Sequence, residues 1–182
     1  ISDSSGSAYL KRFNANCSVD TSFGNNGKAV FPNIANNYIT SLKVLSDNSI
    51  IVSAGDRVYN LNSNGVFNNS FGGGLGYALG DTYDKINFNL DVFTNGKIIT
   101  HRYLIIRKYL NNGLLDPSFS EDGQVEVNFQ DFSIFAQPDN KVILTYKKGL
   151  DGDFNFVITR LNEDGSTDTT FGTNGSTEVD YG

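Results

Sequence analysis

Hydrophobic residues fall in short clusters along this chain, each fenced by Asn, Asp, Ser or Gly. Some clusters alternate with polar residues, as in Ser41-Leu-Lys-Val-Leu45; others run unbroken, as in Ile50-Ile-Val52 and Val142-Ile-Leu144. Alternating stretches and short unbroken apolar runs of this length both predict strands. No stretch of about twelve residues repeats apolar positions at three and four, as a helix would need. The breaks between clusters are regular too. Ser46-Asp-Asn48-Ser, Thr94-Asn-Gly96-Lys and Pro138-Asp-Asn140-Lys each separate two apolar arms. Asn-Gly and Asp-Asn reach the positive φ that two-residue hairpin loops require, so each break predicts a hairpin.

The clusters recur with a fixed pitch. Asp20-Thr-Ser-Phe23-Gly24, Asn68-Asn-Ser-Phe71-Gly72, Asp116-Pro-Ser-Phe119-Ser120 and Asp168-Thr-Thr-Phe171-Gly172 align on phenylalanines spaced 48, 48 and 52 residues apart. Upstream, the same frame gives Arg12-Phe-Asn-Ala-Asn-Cys17, Asn60-Leu-Asn-Ser-Asn-Gly65, Lys108-Tyr-Leu-Asn-Asn-Gly113 and Arg160-Leu-Asn-Glu-Asp-Gly165. Downstream a second glycine follows at Gly27, Gly123 and Gly175, and one place later at Gly76 in the second copy. After that glycine comes a strand (28–31, 77–79, 124–129, 176–181), then the hairpin, then a strand leading into the next copy (57–61, 103–110, 154–161). Four strands per repeat of about 48 residues predict an all-β, propeller-like array of four-stranded antiparallel blades. The pattern runs from residue 9 to 182, with 1–8 as a tail. It comprises about three full repeats with half-blades at each end. Propellers close with 4–8 blades, so the array is expected to need further blades of a parent chain, or a second copy.

Each consensus residue meets a local need. Asp or Asn opening the Asp-x-Ser-Phe run accepts backbone amides two residues on, forming an Asx-turn. The phenylalanine predicts a plug between neighbouring sheets, worth roughly 1.5–3 kcal/mol when buried. The flanking glycines supply positive φ or close backbone approach. Arg12, Lys108 and Arg160, at strand ends, are placed to pair with a turn carboxylate. The composition agrees: 19 Gly, 14 Phe and 9 Tyr beside three Pro and no Trp favour strands joined by tight turns.

The run from Arg160 to Gly175, with Asp139-Asn-Lys141-Val-Ile-Leu144 at the hairpin, resembles the delta-60 repeat family, bacterial repeats that form β-propeller blades. The likeness extends over nearly the whole chain from Tyr9. Copies one, three and four fit it well, whereas copy two departs at Asn68 and at Gly72-Gly-Gly-Leu-Gly76, so its crossing loop is expected to differ. The resemblance implies a secreted or surface-exposed bacterial protein, of the kind found in gliding and biofilm-forming species that use type IX secretion. It implies no catalytic residue.

Charge and rare residues narrow the chemistry. A net charge of −6 with only 14 Lys and Arg among 182 residues argues against nucleic acid as a partner. No apolar run approaches the roughly 18 residues of a membrane helix, so no membrane insertion is expected. One cysteine, Cys17, closes no intrachain disulfide, and His101 alone builds neither a zinc site nor a Ser-His-Asp triad. Cys17 stands where the other copies carry glycine and reads as an incidental turn residue. Asn162-x-Asp164-Gly165 and Asn62-x-Asn64-Gly65 echo a calcium loop, but Phe171 and Phe71 occupy the twelfth place, where an EF-hand needs Glu. Asp151-Gly-Asp153 is an acidic turn short of the six oxygens calcium takes. Asp81, Asp84, Asp91, Glu121 and Asp122 show no spacing that singles out a glycosidase pair. Gly72-Gly-Gly74 lacks the Lys-Ser/Thr of a phosphate loop. Beginning at Ile1 without methionine, the sequence reads as part of a longer protein.

The resulting expectation is a non-catalytic scaffold or interaction module, without cofactor or metal, serving adhesion, partner display or spacing. Its partner is expected to be a protein or a surface glycan. Tyr38, Tyr59, Tyr77, Tyr83 and Tyr146 are the candidate ligand-facing aromatics on a rim of loops. A carbohydrate-binding propeller is the alternative, and a fragment of a propeller hydrolase the second alternative.

Overall fold

The computed structural model describes residues 7–32, 38–79, 88–150 and 153–180. The described residues are all-β: fourteen strands in four antiparallel sheets. A two-stranded sheet joins β1 (Tyr9–Lys11) to β2 (Lys28–Val30). Three four-stranded sheets follow in chain order. The first holds β3 (Ile39–Val44), β4 (Ile50–Ala54), β5 (Arg57–Leu61) and β6 (Ala78–Leu79). The second holds β7 (Phe88–Val92), β8 (Ile98–Arg102), β9 (Ile105–Tyr109) and β10 (Gln124–Glu126). The third holds β11 (Ser133–Ala136), β12 (Val142–Leu150), β13 (Asp153–Leu161) and β14 (Ser176–Val179).

Sequential neighbours pair throughout, as in a meander, and the register follows the apolar pattern. β4 and β8 are second in their sheets, and Val52, Ala54, Ile98 and Ile99 on them are buried. With Ile51 also buried, β4 is covered on both faces, as β8 is, whereas Ile143 of β12 is part-exposed. The strand after each consensus turn pairs back onto the strand before it, as β14 does on β13 through Phe156↔Val179 to Thr159↔Ser176. The half-blade expected at the C-terminal end is therefore the fourth strand of the third sheet, and the two-stranded sheet is the half-blade at the N-terminal end.

The hairpin loops are longer by one residue than the sequence reading gives. Leu45 and Ser49 bracket Ser46-Asp47-Asn48, with Asn48 N–H on the Leu45 carbonyl and Leu45 N–H on the Ser49 carbonyl, both 2.9 Å. This is a three-residue loop whose last member takes the left-handed conformation, at Asn48 (φ 63°), Gly96 (φ 82°) and Asn140 (φ 65°). The same bonds close the Asn-x-x-Gly turns at Asn62–Val66 and Asn162–Ser166, and the Asn14–Ser18 turn with Cys17 in the left-handed place.

The chain divides into two compact units, Ile1–Ile86 with Asn112–Leu114, and Asn87–Asn111 with Leu115–Gly182. In the first, Phe23, Phe31, Val52, Tyr59 and Leu61 form the core, with Phe31, Tyr59 and Phe67 meeting edge to face at 5.1–5.6 Å. In the second, Phe93, Ile99, Ile106 and Phe119 pack with Phe132, Ile134, Val142 and Leu144 of the following sheet.

Candidate functional site

The repeat consensus builds one joint several times over. In each copy the opening Asp or Asn folds the turn through Oδ1: Asp20, Asn68, Asp116 and Asp168 accept the N–H of the residue two on at 3.0–3.1 Å. They also accept its hydroxyl at 2.6–2.7 Å. That turn aims the phenylalanine inward, leaving Phe23, Phe71 and Phe119 at most 2% exposed. Each ring lies on the glycine of the next repeat's turn, Asn62-x-x-Gly65, Leu110-x-x-Gly113 or Asn162-x-x-Gly165. A Cβ at Gly65 would come within 2.7 Å of the Phe23 ring, one at Gly113 within 2.7 Å of Phe71, and one at Gly165 within 3.0 Å of Phe119. The residue after each phenylalanine then donates its N–H to the carbonyl just before that glycine: Gly24 to Asn64 (2.7 Å), Gly72 to Asn112 (2.8 Å) and Ser120 to Asp164 (2.8 Å). The strand-end cation completes the joint. Arg12 donates to the Ser63 carbonyl and Lys108 to the Glu163 carbonyl, each over the ring its turn has buried.

The free oxygen of the turn carboxylate holds cations. Arg12 meets Asp20 and Arg160 meets Asp168, each at 2.7 Å, as the sequence anticipates. Lys108 does not follow suit: Asp116 takes Lys97 at 2.9 Å, while Lys108 is fully buried against Phe93 and Phe119. Burial, then the charge of Lys97, pulls the Lys108 ammonium below the ordinary lysine range. Asp168 carries a second cation, Lys141 at 2.7 Å, and Lys141 and Thr170 hold its carboxyl far below the usual range. The lysines just past the hairpin loops, Lys97 and Lys141, stand in the sequence motifs without an anticipated partner. Their signal is a basic residue directly after the left-handed loop residue.

Copy two departs in charge, as its sequence implies: Ser49, Asn60 and Asn68 stand where other repeats place Lys, Arg or Lys, and Asp. Copy three departs as well. Gly24, Gly72 and Gly172 press on the backbone so closely that a Cβ would lie 1.9–2.2 Å from a carbonyl oxygen. Ser120 cannot make that approach, and the loop instead places both Ser120 (φ 53°) and Glu121 (φ 66°) in the left-handed region. The second glycines keep a shared task, Gly76, Gly123 and Gly175 each donating to the carbonyl of their phenylalanine. Gly27 likewise sits at φ 85°.

The candidate tyrosines among the described residues differ in setting. Tyr59 is 2% exposed in the first core, which removes it as a ligand-facing residue: its strand places it inward, toward Phe31 and Phe67. Tyr77 is half-buried under the Arg57 guanidinium, 4.1 Å from its ring. Tyr146 is half-buried and stacked on Phe129 at 3.7 Å. Tyr38 is 54% exposed. Tyr83, with Asp81, Asp84 and the Asp151-Gly152 turn, lies outside the described residues. Of the remaining acids, Asp91 accepts the Ala136 N–H at 2.9 Å and Asp122 accepts the Gln124 N–H at 2.9 Å. His101 packs on Phe132 with ring centroids 4.1 Å apart, and burial lowers its pKa to about 4, so it is a neutral core imidazole. Among the described residues no three of His, Cys, Asp and Glu gather as metal ligands. Among the described residues no helix is long and apolar enough to cross a membrane.

A surface the sequence reading missed lies on β12–β13. These strands are nine residues long against five for β8 and β9. Their pairing runs on through Tyr146↔Val157, Lys147↔Phe156 and Gly149↔Phe154. The extension exposes Phe154 (39%) and Phe156 (42%) on one face, with Lys147 Nζ 5.8 Å from both rings. Lys148 and Asn155 bind Glu178 at 2.9 and 2.7 Å. Phe154 and Phe156, together with Tyr146 and Thr145, line a shallow groove. The interval of 52 residues between the last two phenylalanines, against 48 elsewhere, was the available signal.

Comparison with curated proteins and with solved structures finds no match. Residues 137–171, which carry the third hairpin, its extension and the fourth consensus turn, match a family described as "Domain of unknown function (DUF5122) beta-propeller". The chain is thus an all-β protein of repeated four-stranded, propeller-type sheets, similar to that family over this one repeat.

Proposed function

We propose that this chain is a non-catalytic interaction module of a secreted or cell-surface bacterial protein, and that the β12–β13 extension is its contact surface. The observation that carries the reading is the pair Phe154 and Phe156, held in the open beside Lys147 on a hairpin that outgrows the repeat frame. Exposed aromatic rings are among the residue types enriched at protein interfaces. The repeat's own charged groups serve the joints: Asp20, Asp116 and Asp168 each use one oxygen for the turn and the other for a cation. Surface location rests on the likeness of the repeats to the delta-60 family.

A surface glycan is the second reading, favoured by the same exposed rings, on which sugars stack. Binding of the full chain to cell envelopes of the encoding organism separates the two. Wild type is expected to bind saturably, the double variant Phe154→Ser/Phe156→Ser to lose that binding while staying folded, and protease treatment of the envelope to abolish it. Loss after periodate instead of protease assigns the surface to glycan. Binding unchanged in the double variant overturns the hairpin as the contact surface.

A further inference from the structure

The third sheet carries half of a joint. Phe171 has the setting of the other plugs: the Asp168 turn aims it, and the Arg160 guanidinium lies 4.6 Å over its ring, as Arg12 lies 4.8 Å over Phe23. Yet Phe171 is part-exposed where Phe23, Phe71 and Phe119 are buried. Gly172 N–H, the counterpart of the donors at Gly24, Gly72 and Ser120, meets no carbonyl among the described residues. The Arg160 side chain bonds Asp168 but, among the described residues, reaches no backbone carbonyl such as Arg12 and Lys108 find. The sheet face beside it matches. Ile99 and Ile106 of the second sheet are fully buried against the sheet that follows, whereas Ile143 and Ile158, at the same places in the third, are part-exposed, and Phe135 is 49% exposed.

We infer that this face is a docking site for one further repeat of the same kind, entered by an Asn-x-x-Gly turn with glycine in the left-handed place. The specificity lies in that glycine. The receiving side supplies two backbone carbonyls and a bare α-carbon, and any Cβ there falls on the ring, at 2.7–3.0 Å in the three joints described. The chain's own first turn, Asn14-Ala-Asn-Cys17, has the right hydrogen bonds and φ 64° but presents a Cβ. It is therefore a poor occupant, and the face discriminates against a second copy docking head to tail through that turn. The joint and the β12–β13 extension use different residues, so either can fail without the other.

The test appends a second copy of residues 131–182 to the full chain. This sets a glycine 46 residues beyond Phe171, the interval from Phe119 to Gly165. Hydrogen exchange at the Gly172 amide is expected to slow at least tenfold relative to the unextended chain. Replacing the appended turn glycine by cysteine is expected to return it to the unextended rate. Equal exchange in the extended and unextended chains, or equal protection with glycine and cysteine, overturns the inference. A second measurement covers misfolding of the appended repeat: Cys17→Gly in the unextended chain is expected to self-associate at least tenfold more strongly by sedimentation, and Phe171→Ala to reverse it. No gain on Cys17→Gly likewise overturns the glycine rule.

Discussion

Lys141 and Asp168, separated by 27 residues, meet at 2.7 Å on the carboxylate oxygen that the Asp168 turn leaves over, and Arg160 shares that oxygen at the same distance. Copy two lacks all three charges together, with Ser49, Asn60 and Asn68 in their places, yet folds the same turn. The three charged positions are filled together in copies three and four and lost together in copy two, although only in copy four do both cations share the carboxylate.

Asp168→Asn keeps the turn, since Asn68 makes the same bonds, but leaves two cations on a neutral amide. It is expected to be less stable than the triple variant Lys141→Ser/Arg160→Asn/Asp168→Asn, which reproduces copy two. Urea denaturation of the wild type, single and triple variants checks the order. The pH dependence has a definite sign. The folded carboxyl titrates below the unfolded value of about 3.9, so its contribution is whole above that pH and is lost as pH falls toward the folded value. The triple variant should lack this acid arm.

His101 works in a different window. Its folded pKa of about 4 lies under the unfolded value near 6.5, so the unfolded chain binds the extra proton between them. Stability should fall by roughly 3 kcal/mol from pH 6.5 to pH 4 on this account alone. His101→Phe, which keeps the ring on Phe132, should flatten the slope; thermal melts at pH 7 and pH 4.5 read the difference.

Left-handed residues offer two opposite outcomes. Cys17→Gly should stabilise the chain by about 1 kcal/mol, because cysteine at φ 64° is strained and its side chain is exposed. Ser120→Gly should do the same for the third crossing loop. Gly165→Ala should cost about 2–4 kcal/mol, combining that strain with a Cβ 3.0 Å from the Phe119 ring and 2.9 Å from Val125. Chemical denaturation midpoints at constant m-value measure all three.

Much of this was legible in the sequence because it is local. An Asx-turn closes within three residues, so Asp-x-Ser-Phe announces its own geometry, and the pitch of the phenylalanines sets the sheets. The partners of Lys97 and Lys141 were not legible, since they come from separate strands and depend on how the hairpin folds over the turn. The burial of Tyr59 was hidden for a related reason: one step of register turns a strand residue from outside to inside. The extra length of β12–β13 was present in the numbers, as an interval of 52 against 48, but only the paired strands show where the added residues went.

At the phenylalanine plug itself the receiving half consists of main-chain carbonyls and a glycine, so that contact needs no matched side chain. A duplicated unit accordingly brings its own plug and its own glycine, and only the apolar sheet faces beside them have to agree with the neighbour. Because the β12–β13 extension lies outside both the plug and those faces, strand length can change there without touching what holds the sheets together.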